Sequence, residues 1–337
     1  MHKALAAGLA AIMALAGQAV HAQDQARLAW QTFHSRAVEG NLEGNSADRT
    51  VLVVTPPGYD EHPERRYPVV YFLHGYWATP QMYQDMMHFD EAVQGAAAAG
   101  NEVILVMPDG HSALKGGFYS SGPTVGDYET MVSRDLVGWV DANYRTIPNA
   151  DSRGLAGHSM GGYGTIRVAM RHPDVFSSIY MMSACCLPPM AMTPESARAI
   201  EAMTEADVAA AQFGQLAGVS TLATWSPDPT AEGFLKVDTG LLPDGTIDPL
   251  VNQRLAANSP LVMLPQYLTP LRQLEGFAID IGDKDFLLEG NRQFMRELDR
   301  FGVRYDFELY EGDHGNRIAE RIRSDVLPFF AAHLDRN

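Results

Sequence analysis

A serine flanked by glycines lies near the middle of the chain, in the segment GHSMGG at residues 157–162. Glycines two positions before and two after Ser159 allow two backbones to pass close together while the serine adopts a strained conformation. A short run of small and apolar residues, 153–156, precedes this segment, and a helix-like run, 163–170, follows it. The pattern predicts a strand, a sharp turn and a helix, with the Ser159 hydroxyl beside the free N–H groups of the helix N-terminus. A nucleophile would occupy this position.

A serine hydroxyl is a poor nucleophile at neutral pH and needs a histidine base that a carboxylate orients. His314 lies in the polar loop EGDHG at residues 311–315, after the last predicted strand. We therefore predict that His314 is the base. The remaining histidines that we considered lie at a helix end, near the C-terminus or within other motifs: His172, His333, His74 and His158.

Three aspartates compete for the role of the acid. Asp280 falls inside a predicted strand, and Asp283 directly follows a glycine, where it could cap the turn. Asp285 lies further along the loop and has more reach toward a histidine in the adjoining loop. We favour Asp285, with Asp283 as the alternative.

Acyl transfer also needs two backbone donors for the developing oxyanion. The N–H of Met160, directly after the nucleophile, would be one donor. The loop after an earlier strand, which begins His74-Gly75-Tyr76, would supply the other, and we assign it to the N–H of Tyr76. By itself His74-Gly75 could equally be an ordinary turn at the end of a strand.

Alternating strands and helices predict an α/β fold with a largely parallel sheet. The strand candidates are continuous apolar runs, which suggests that helices cover both faces of the sheet. Predicted strands cover residues 50–54, 69–73, 103–107, 153–156, 176–183, 277–281 and 303–310. Predicted helices cover residues 80–95, 127–144, 163–170, 291–301 and 318–334.

The alternation stops between about residues 187 and 270, where prolines and a Met/Ala-rich helical stretch contain no clear strand. Because strands and helices resume afterwards, we interpret this segment as a cap-like insertion in a single domain spanning residues 23–337. Residues 1–22 combine Lys3, an apolar run and a small-x-small site, which is typical of a cleaved secretory signal peptide. Without that segment we expect no membrane insertion, and we expect an exported protein, periplasmic or secreted.

The composition limits the classes of partner. A formal net charge of −16 argues against nucleic acids and anionic membrane surfaces as partners. The usual zinc-binding spacings and dinucleotide-binding glycine motifs are absent from the sequence, so we expect neither a metal nor an organic cofactor. The only two cysteines are the neighbours Cys185 and Cys186, which we expect to be reduced and buried, a strained disulfide being the alternative.

Several of these segments together resemble the esterase D-like "putative esterase" family, which includes S-formylglutathione hydrolases, feruloyl esterases and mycolyltransferases. The resemblance implies the α/β-hydrolase fold, with Ser159 as nucleophile, Asp285 as acid and His314 as base. It also implies an oxyanion hole formed by Tyr76 and Met160. The segments that carry it are YPVVYFLHG at 67–75, DLV at 135–137, YRT at 144–146, GHSMGGYG at 157–164, GDKDF at 282–286 and GDH at 312–314.

The function that we expect is hydrolysis of a small-molecule carboxylic ester through an acyl-enzyme intermediate. Acyl transfer would use the same three side chains with an alcohol in place of water. A non-catalytic binding protein with this fold is a further alternative, against which the complete set of candidate residues argues.

Overall fold

Runs of β-branched, aromatic and other apolar residues form the strands of one main sheet in residues 25–336, the part of the chain that the computed structural model describes. The predicted signal peptide, residues 1–22, lies outside the described residues. The strands are β1 (Arg27–His34), β2 (Asp48–Thr55), β3 (Val69–Leu73), β4 (Ile104–Pro108), β5 (Ser121–Gly122), β6 (Gly126–Asp127), β7 (Arg153–His158), β8 (Ser178–Met182), β9 (Gly276–Gly282) and β10 (Asp306–Tyr310).

The main sheet has eight strands in the order β1-β2-β4-β3-β7-β8-β9-β10. The pairs β1–β2 and β2–β4 are antiparallel, and every other pair in this sheet is parallel. The strands β5 and β6 form a separate small hairpin. The largely parallel sheet that the sequence predicts is therefore confirmed.

Helices surround the sheet. The α-helices are α1 (Pro80–Met87), α2 (Phe89–Ala98), α3 (Tyr128–Thr130), α4 (Val137–Asn143), α5 (Met160–Arg171), α6 (Pro194–Glu201), α7 (Glu205–Ala210), α8 (Phe213–Trp225), α9 (Pro249–Ala257), α10 (Pro260–Met263), α11 (Leu268–Arg272), α12 (Leu288–Arg300), α13 (Ile318–Arg321) and α14 (Leu327–His333). The π-helical segments Met131–Leu136 and Ile322–Val326 continue α3 into α4 and α13 into α14. No helix among residues 25–336 combines the length and apolar character needed to cross a membrane.

Strand β3 shows why the central strands are continuously apolar. All five of its residues are buried, because side chains alternate between the two faces and both faces are covered. Val69 and Tyr71 pack into the cluster that α4, α5 and α12 help to form. Val70 and Phe72 pack into a second cluster, with side chains of α1, α2 and α14.

The differences between the structure and the predicted elements include an additional strand, a broken helix and a shorter last strand. Strand β1 was not predicted, because it is an edge strand whose side chains, except Phe33, remain at least partly exposed to solvent. The helix predicted over residues 80–95 is two helices, since His88 adopts a left-handed conformation with φ of 52° and ends α1. The last strand begins at Asp306 rather than at residue 303.

The segment between β8 and β9 contains the helices α6–α11 and, apart from isolated bridges, no strand. This matches the break in the strand and helix pattern. Its interpretation as a cap-like insertion in a single domain stays a prediction.

A buried ion cluster fixes the C-terminal half of α5. The Glu129 carboxylate accepts hydrogen bonds from Arg167 Nε and Arg171 Nε, both at 2.7 Å, and lies 2.9 Å from His172 Nε2. Burial of Glu129 opposes its ionisation, but the His172 hydrogen bond and the two arginines outweigh burial and lower its pKa to about 2. The ionised Glu129 therefore stabilises the folded state.

We predict that Glu129→Gln lowers the free energy of unfolding at pH 7 by about 3 kcal/mol, because it leaves buried guanidinium charge uncompensated. A carboxylate whose pKa is lowered by folding stabilises the protein above its unfolded pKa of 4.5 and loses that contribution as the pH falls toward 2. The difference between parent and variant in urea denaturation should therefore shrink across this pH range. Glu289→Gln, which removes an exposed pair with Arg296, is the control and should cost less than about 1 kcal/mol.

Candidate active site

The turn between β7 and α5 holds Ser159 in a strained backbone conformation, with φ of 58° and ψ of −113°. The helix passes so close to the sheet that a Cβ on Gly161 would lie 1.9 Å from the carbonyl oxygen of Leu73. A Cβ on Gly157 would lie 2.3 Å from the carbonyl oxygen of Gly161. Glycine is therefore required at both positions for steric reasons, and the predicted strand, turn and helix are present.

The structure brings Ser159, His314 and Asp285 into one hydrogen-bonded chain. The Oγ of Ser159 lies 3.0 Å from His314 Nε2, and His314 Nδ1 lies 2.8 Å from Asp285 Oδ2. A carboxylate only accepts, so Nδ1 carries the proton and Nε2 is free to accept the serine proton. Ser159, Asp285 and His314 follow β7, β9 and β10, whose carboxyl ends lie at the same edge of the sheet.

The carboxylate of Asp285 is fully buried, whereas the His314 side chain is 26% exposed. Burial opposes ionisation of Asp285, but hydrogen bonds from His314 and from the N–H of Leu287 lower its pKa below the ordinary value. The acid is therefore held as the carboxylate that can orient and stabilise a protonated histidine.

The two competing aspartates have other partners. Asp283 accepts a hydrogen bond from the N–H of Gly312 at 3.0 Å and so joins two loops. Asp280 is buried in β9, where it accepts bonds from Arg321 Nε at 2.9 Å and from Tyr180 Oη at 3.0 Å. Burial raises the pKa of Asp280 to about 6, partly offset by Arg321. The geometry therefore pairs His314 with Asp285, the aspartate that we favour from the sequence.

Two N–H groups next to Ser159 are available to a ligand. Within residues 25–336, neither the N–H of Tyr76 nor that of Met160 donates to another protein atom. Met160 is the first residue of α5, where an N–H has no partner inside the helix. Tyr76 is held by its hydroxyl, which donates to the Leu114 carbonyl at 2.8 Å. Both predicted donors are thus free in the structure.

An apolar cavity of about 300 Å³ opens at Ser159. Helix α8 contributes one wall, and the loops after β3, β8 and β9 contribute others. The lining residues are Tyr76, Phe118, Ser159, Cys185, Cys186, Met190, Phe213, Gly214, Ala217, Gly218, Thr221, Phe286 and Leu287. Cys185 and Cys186 are free thiols that are partly rather than fully buried; they pack against the main core cluster and also line this cavity.

The sequence did not reveal several residues at the site. The ring of Phe286 is 73% exposed and lies 4.7 Å from the His314 ring, centroid to centroid. His158 and Tyr83 are both buried, and His158 Nδ1 lies 2.7 Å from Tyr83 Oη. The position of His158 directly before Ser159 was a possible signal for it, whereas no local pattern marks Tyr83.

A model of the family described as "Putative esterase" matches residues 43–255 of the chain. The chain belongs to the putative esterase family. A curated member of similar sequence is Esterase Rv1288 from Mycobacterium tuberculosis (strain ATCC 25618 / H37Rv), which is 33% identical over 162 residues. The match covers 46% of this chain and 32% of that protein, so it spans about a third of the relative's length.

Solved esterase structures share the fold of this family member. A ferulic acid esterase has a TM-score of 0.64 at 22% identity, covering 92% of this chain and 99% of that one. An S-formylglutathione hydrolase from Agrobacterium tumefaciens has a TM-score of 0.60 at 17% identity, covering 93% and 97%. These similarities confirm the α/β-hydrolase fold and the resemblance that the sequence motifs indicate.

Proposed function

We propose that this protein is a serine hydrolase that cleaves carboxylic esters, with Ser159 as nucleophile, His314 as general base and Asp285 as the residue that orients His314. The observation that carries the proposal is the hydrogen-bonded chain from Asp285 Oδ2 through His314 to Ser159 Oγ. Membership of the putative esterase family supports the same reaction class.

The reaction follows from this geometry. Ser159 Oγ attacks the acyl carbonyl carbon while His314 Nε2 takes the hydroxyl proton, and the N–H groups of Tyr76 and Met160 stabilise the oxyanion. The carbon–oxygen bond to the alcohol then breaks, and His314 returns the proton to the departing alkoxide. Water attacks the acyl carbon as it gives a proton to His314 Nε2. The bond between the acyl carbon and Ser159 Oγ then breaks, and His314 returns the proton to Oγ, which releases the acid and restores Ser159.

We predict that Ser159→Ala lowers kcat for p-nitrophenyl esters by a factor on the order of 10³ or more, because no nucleophile remains. Asp285→Asn should lower it roughly 10⁴-fold, since an amide favours the wrong tautomer of His314. Asp283→Asn is the matched control, because Asp283 contacts a backbone N–H rather than His314. A Ser159→Ala enzyme as fast as the parent would disprove the assignment of the nucleophile.

Product analysis in the presence of an added alcohol separates hydrolysis from acyl transfer. Free acid as the main product supports hydrolysis, whereas a new ester indicates acyl transfer.

We propose further that the apolar cavity receives the acyl group and that α8, in the 187–270 insertion, limits its size. Phe213 and Ala217 from this helix line the cavity next to Ser159. Apolar lining favours an apolar acyl group, because transfer of such a group out of water is favourable.

We predict that Ala217→Trp, which fills the cavity, lowers kcat/KM for long-chain or aromatic acyl esters at least tenfold while acetyl esters lose less than threefold, because one lost or blocked hydrophobic contact is worth roughly 1–3 kcal/mol. The control is Ala209→Trp, because Ala209 on α7 lines a different cavity. Steady-state rates over an acyl-length series provide the measurement. Equal losses for acetyl and long-chain esters would contradict the assignment of the acyl site.

We propose that the protein is exported, on the basis of the signal-peptide pattern in residues 1–22. Expression of the full chain in a Gram-negative host should yield a protein outside the cytoplasm whose N-terminal residue is Gln23. Cell fractionation and N-terminal sequencing measure this. A full-length protein that starts at Met1 and stays in the cytoplasm would contradict export.

A further inference from the structure

The side chain of His158 connects two segments that meet at the candidate active site. Its Nε2 lies 2.8 Å from the carbonyl oxygen of His314, and its Nδ1 lies 2.7 Å from the hydroxyl of Tyr83. The same hydroxyl accepts a hydrogen bond from the N–H of Gly75 at 2.9 Å. His158 and Tyr83 are 5% and 4% exposed, so water does not compete for these bonds.

The direction of each bond in this chain is fixed by its partners. A carbonyl oxygen only accepts, so His158 Nε2 must carry a proton and donate to His314. Burial, together with the nearby His314, lowers the pKa of His158 to about 3, so the ring is neutral and its Nδ1 accepts. Tyr83 Oη therefore donates to Nδ1 and uses its oxygen to accept from Gly75. Each ring nitrogen of His158 and the hydroxyl of Tyr83 thus has a hydrogen-bond partner.

The ends of this chain are the two loops on which the proposed reaction depends. Gly75 directly precedes Tyr76, whose N–H is the proposed oxyanion donor, and the other end is the main chain of the proposed base. His158 itself directly precedes Ser159 at the end of β7. The oxyanion loop and the proposed base are thus connected by one continuous set of hydrogen bonds, which runs through the residue directly before the proposed nucleophile.

We propose that His158 and Tyr83 form a positioning bridge, which holds the oxyanion loop and the base in register with the nucleophile. This inference rests on the proposed ester hydrolysis. The polar atoms of both side chains are committed to the Gly75 N–H, to the His314 carbonyl and to each other, so neither side chain acts directly on the reacting atoms. Their effect on the rate would come from the geometry that they impose, and a misplacement of about 1 Å can cost a factor of roughly 10² in rate.

The two halves of the bridge affect different steps of acylation. The Tyr83 end supports the oxyanion loop, and oxyanion stabilisation contributes whatever the leaving group is. The His158 end supports His314, whose proton transfer matters most when the leaving group is a poor one. An alkoxide must be protonated as it departs, whereas p-nitrophenolate leaves with little help. The ratio of kcat/KM between a p-nitrophenyl and an ethyl ester of the same acyl group therefore separates the two halves.

Tyr83→Phe removes one hydroxyl and keeps the ring that packs against Phe72 and His74. We predict that it lowers kcat/KM for both esters by a similar factor, roughly 10- to 100-fold, because the oxyanion loop loses its anchor. Tyr128→Phe is the matched control: its hydroxyl is also buried and donates to a backbone carbonyl at 2.9 Å, that of His111, away from the bridge. The control should retain at least half of the parent's kcat/KM.

Two substitutions of His158 divide the bridge further. In His158→Asn the shorter amide can still accept from Tyr83 but cannot reach His314, so we expect the ethyl ester to lose at least tenfold more than the p-nitrophenyl ester. In His158→Gln the longer amide can still donate to His314, so the ratio between the esters should stay near that of the parent. Thermal denaturation tests whether each variant is folded at the assay temperature. If a His158 variant is unfolded at that temperature, the rates of Tyr83→Phe alone test the bridge.

The outcomes separate this inference from the proposed function. If the parent is active, Ser159→Ala is inactive, and Tyr83→Phe and His158→Asn match Tyr128→Phe on both esters, the bridge is overturned while ester hydrolysis stands. If all bridge variants lose activity by one common factor that follows their loss of thermal stability, the bridge is structural only and the inference is wrong. If the parent hydrolyses neither ester, the proposed function and the bridge fail together.

Discussion

The close contact between α5 and the ends of the central strands is the constraint on which the rest of the site depends. There is no room for a side chain where Gly161 faces the Leu73 carbonyl or where Gly157 faces the Gly161 carbonyl. At this contact Ser159 has a strained backbone with φ of 58° and ψ of −113°, and α5 begins at Met160. A wider separation would move the Met160 N–H away from that of Tyr76, and the two proposed oxyanion donors could then no longer contact one oxygen atom.

The parallel sheet brings the other parts to the same place. Strands β9 and β10 are neighbours, with Gly282 opposite Tyr310, so the loops that carry Asp285 and His314 leave the sheet side by side. The Asp283 carboxylate joins the two loops by accepting from the Gly312 N–H, and Asp285 faces the histidine ring. The different contacts of Asp283 and Asp285 thus come from loop geometry, because the two side chains are chemically the same.

His158 and His314 lie 4.8 Å apart between ring centroids, yet their surroundings give them different hydrogen-bond partners. His158 is buried without a carboxylate contact, and both of its nitrogens are committed to neutral hydrogen bonds. His314 has Asp285 on one nitrogen and the Ser159 hydroxyl on the other, and it remains partly exposed to the cavity. A similar balance acts at the far end of α5, where Glu129 is buried and yet ionised because three cationic or hydrogen-bonding partners surround it.

The sequence by itself determined the central strands, the turn at Ser159 and the position of His314, because apolar runs, glycine spacing and a polar loop after a strand each reflect local backbone requirements. It could rank Asp285 above Asp283 but not decide between them, since that needed the distance to a histidine 29 residues away. It missed β1, whose exposed edge carries no continuous apolar run. The tertiary structure alone revealed that α8 lines the cavity and that His158 contacts Tyr83 and His314, 75 and 156 residues away in sequence. Such contacts join segments whose local patterns are independent of each other, so only the folded chain brings them together.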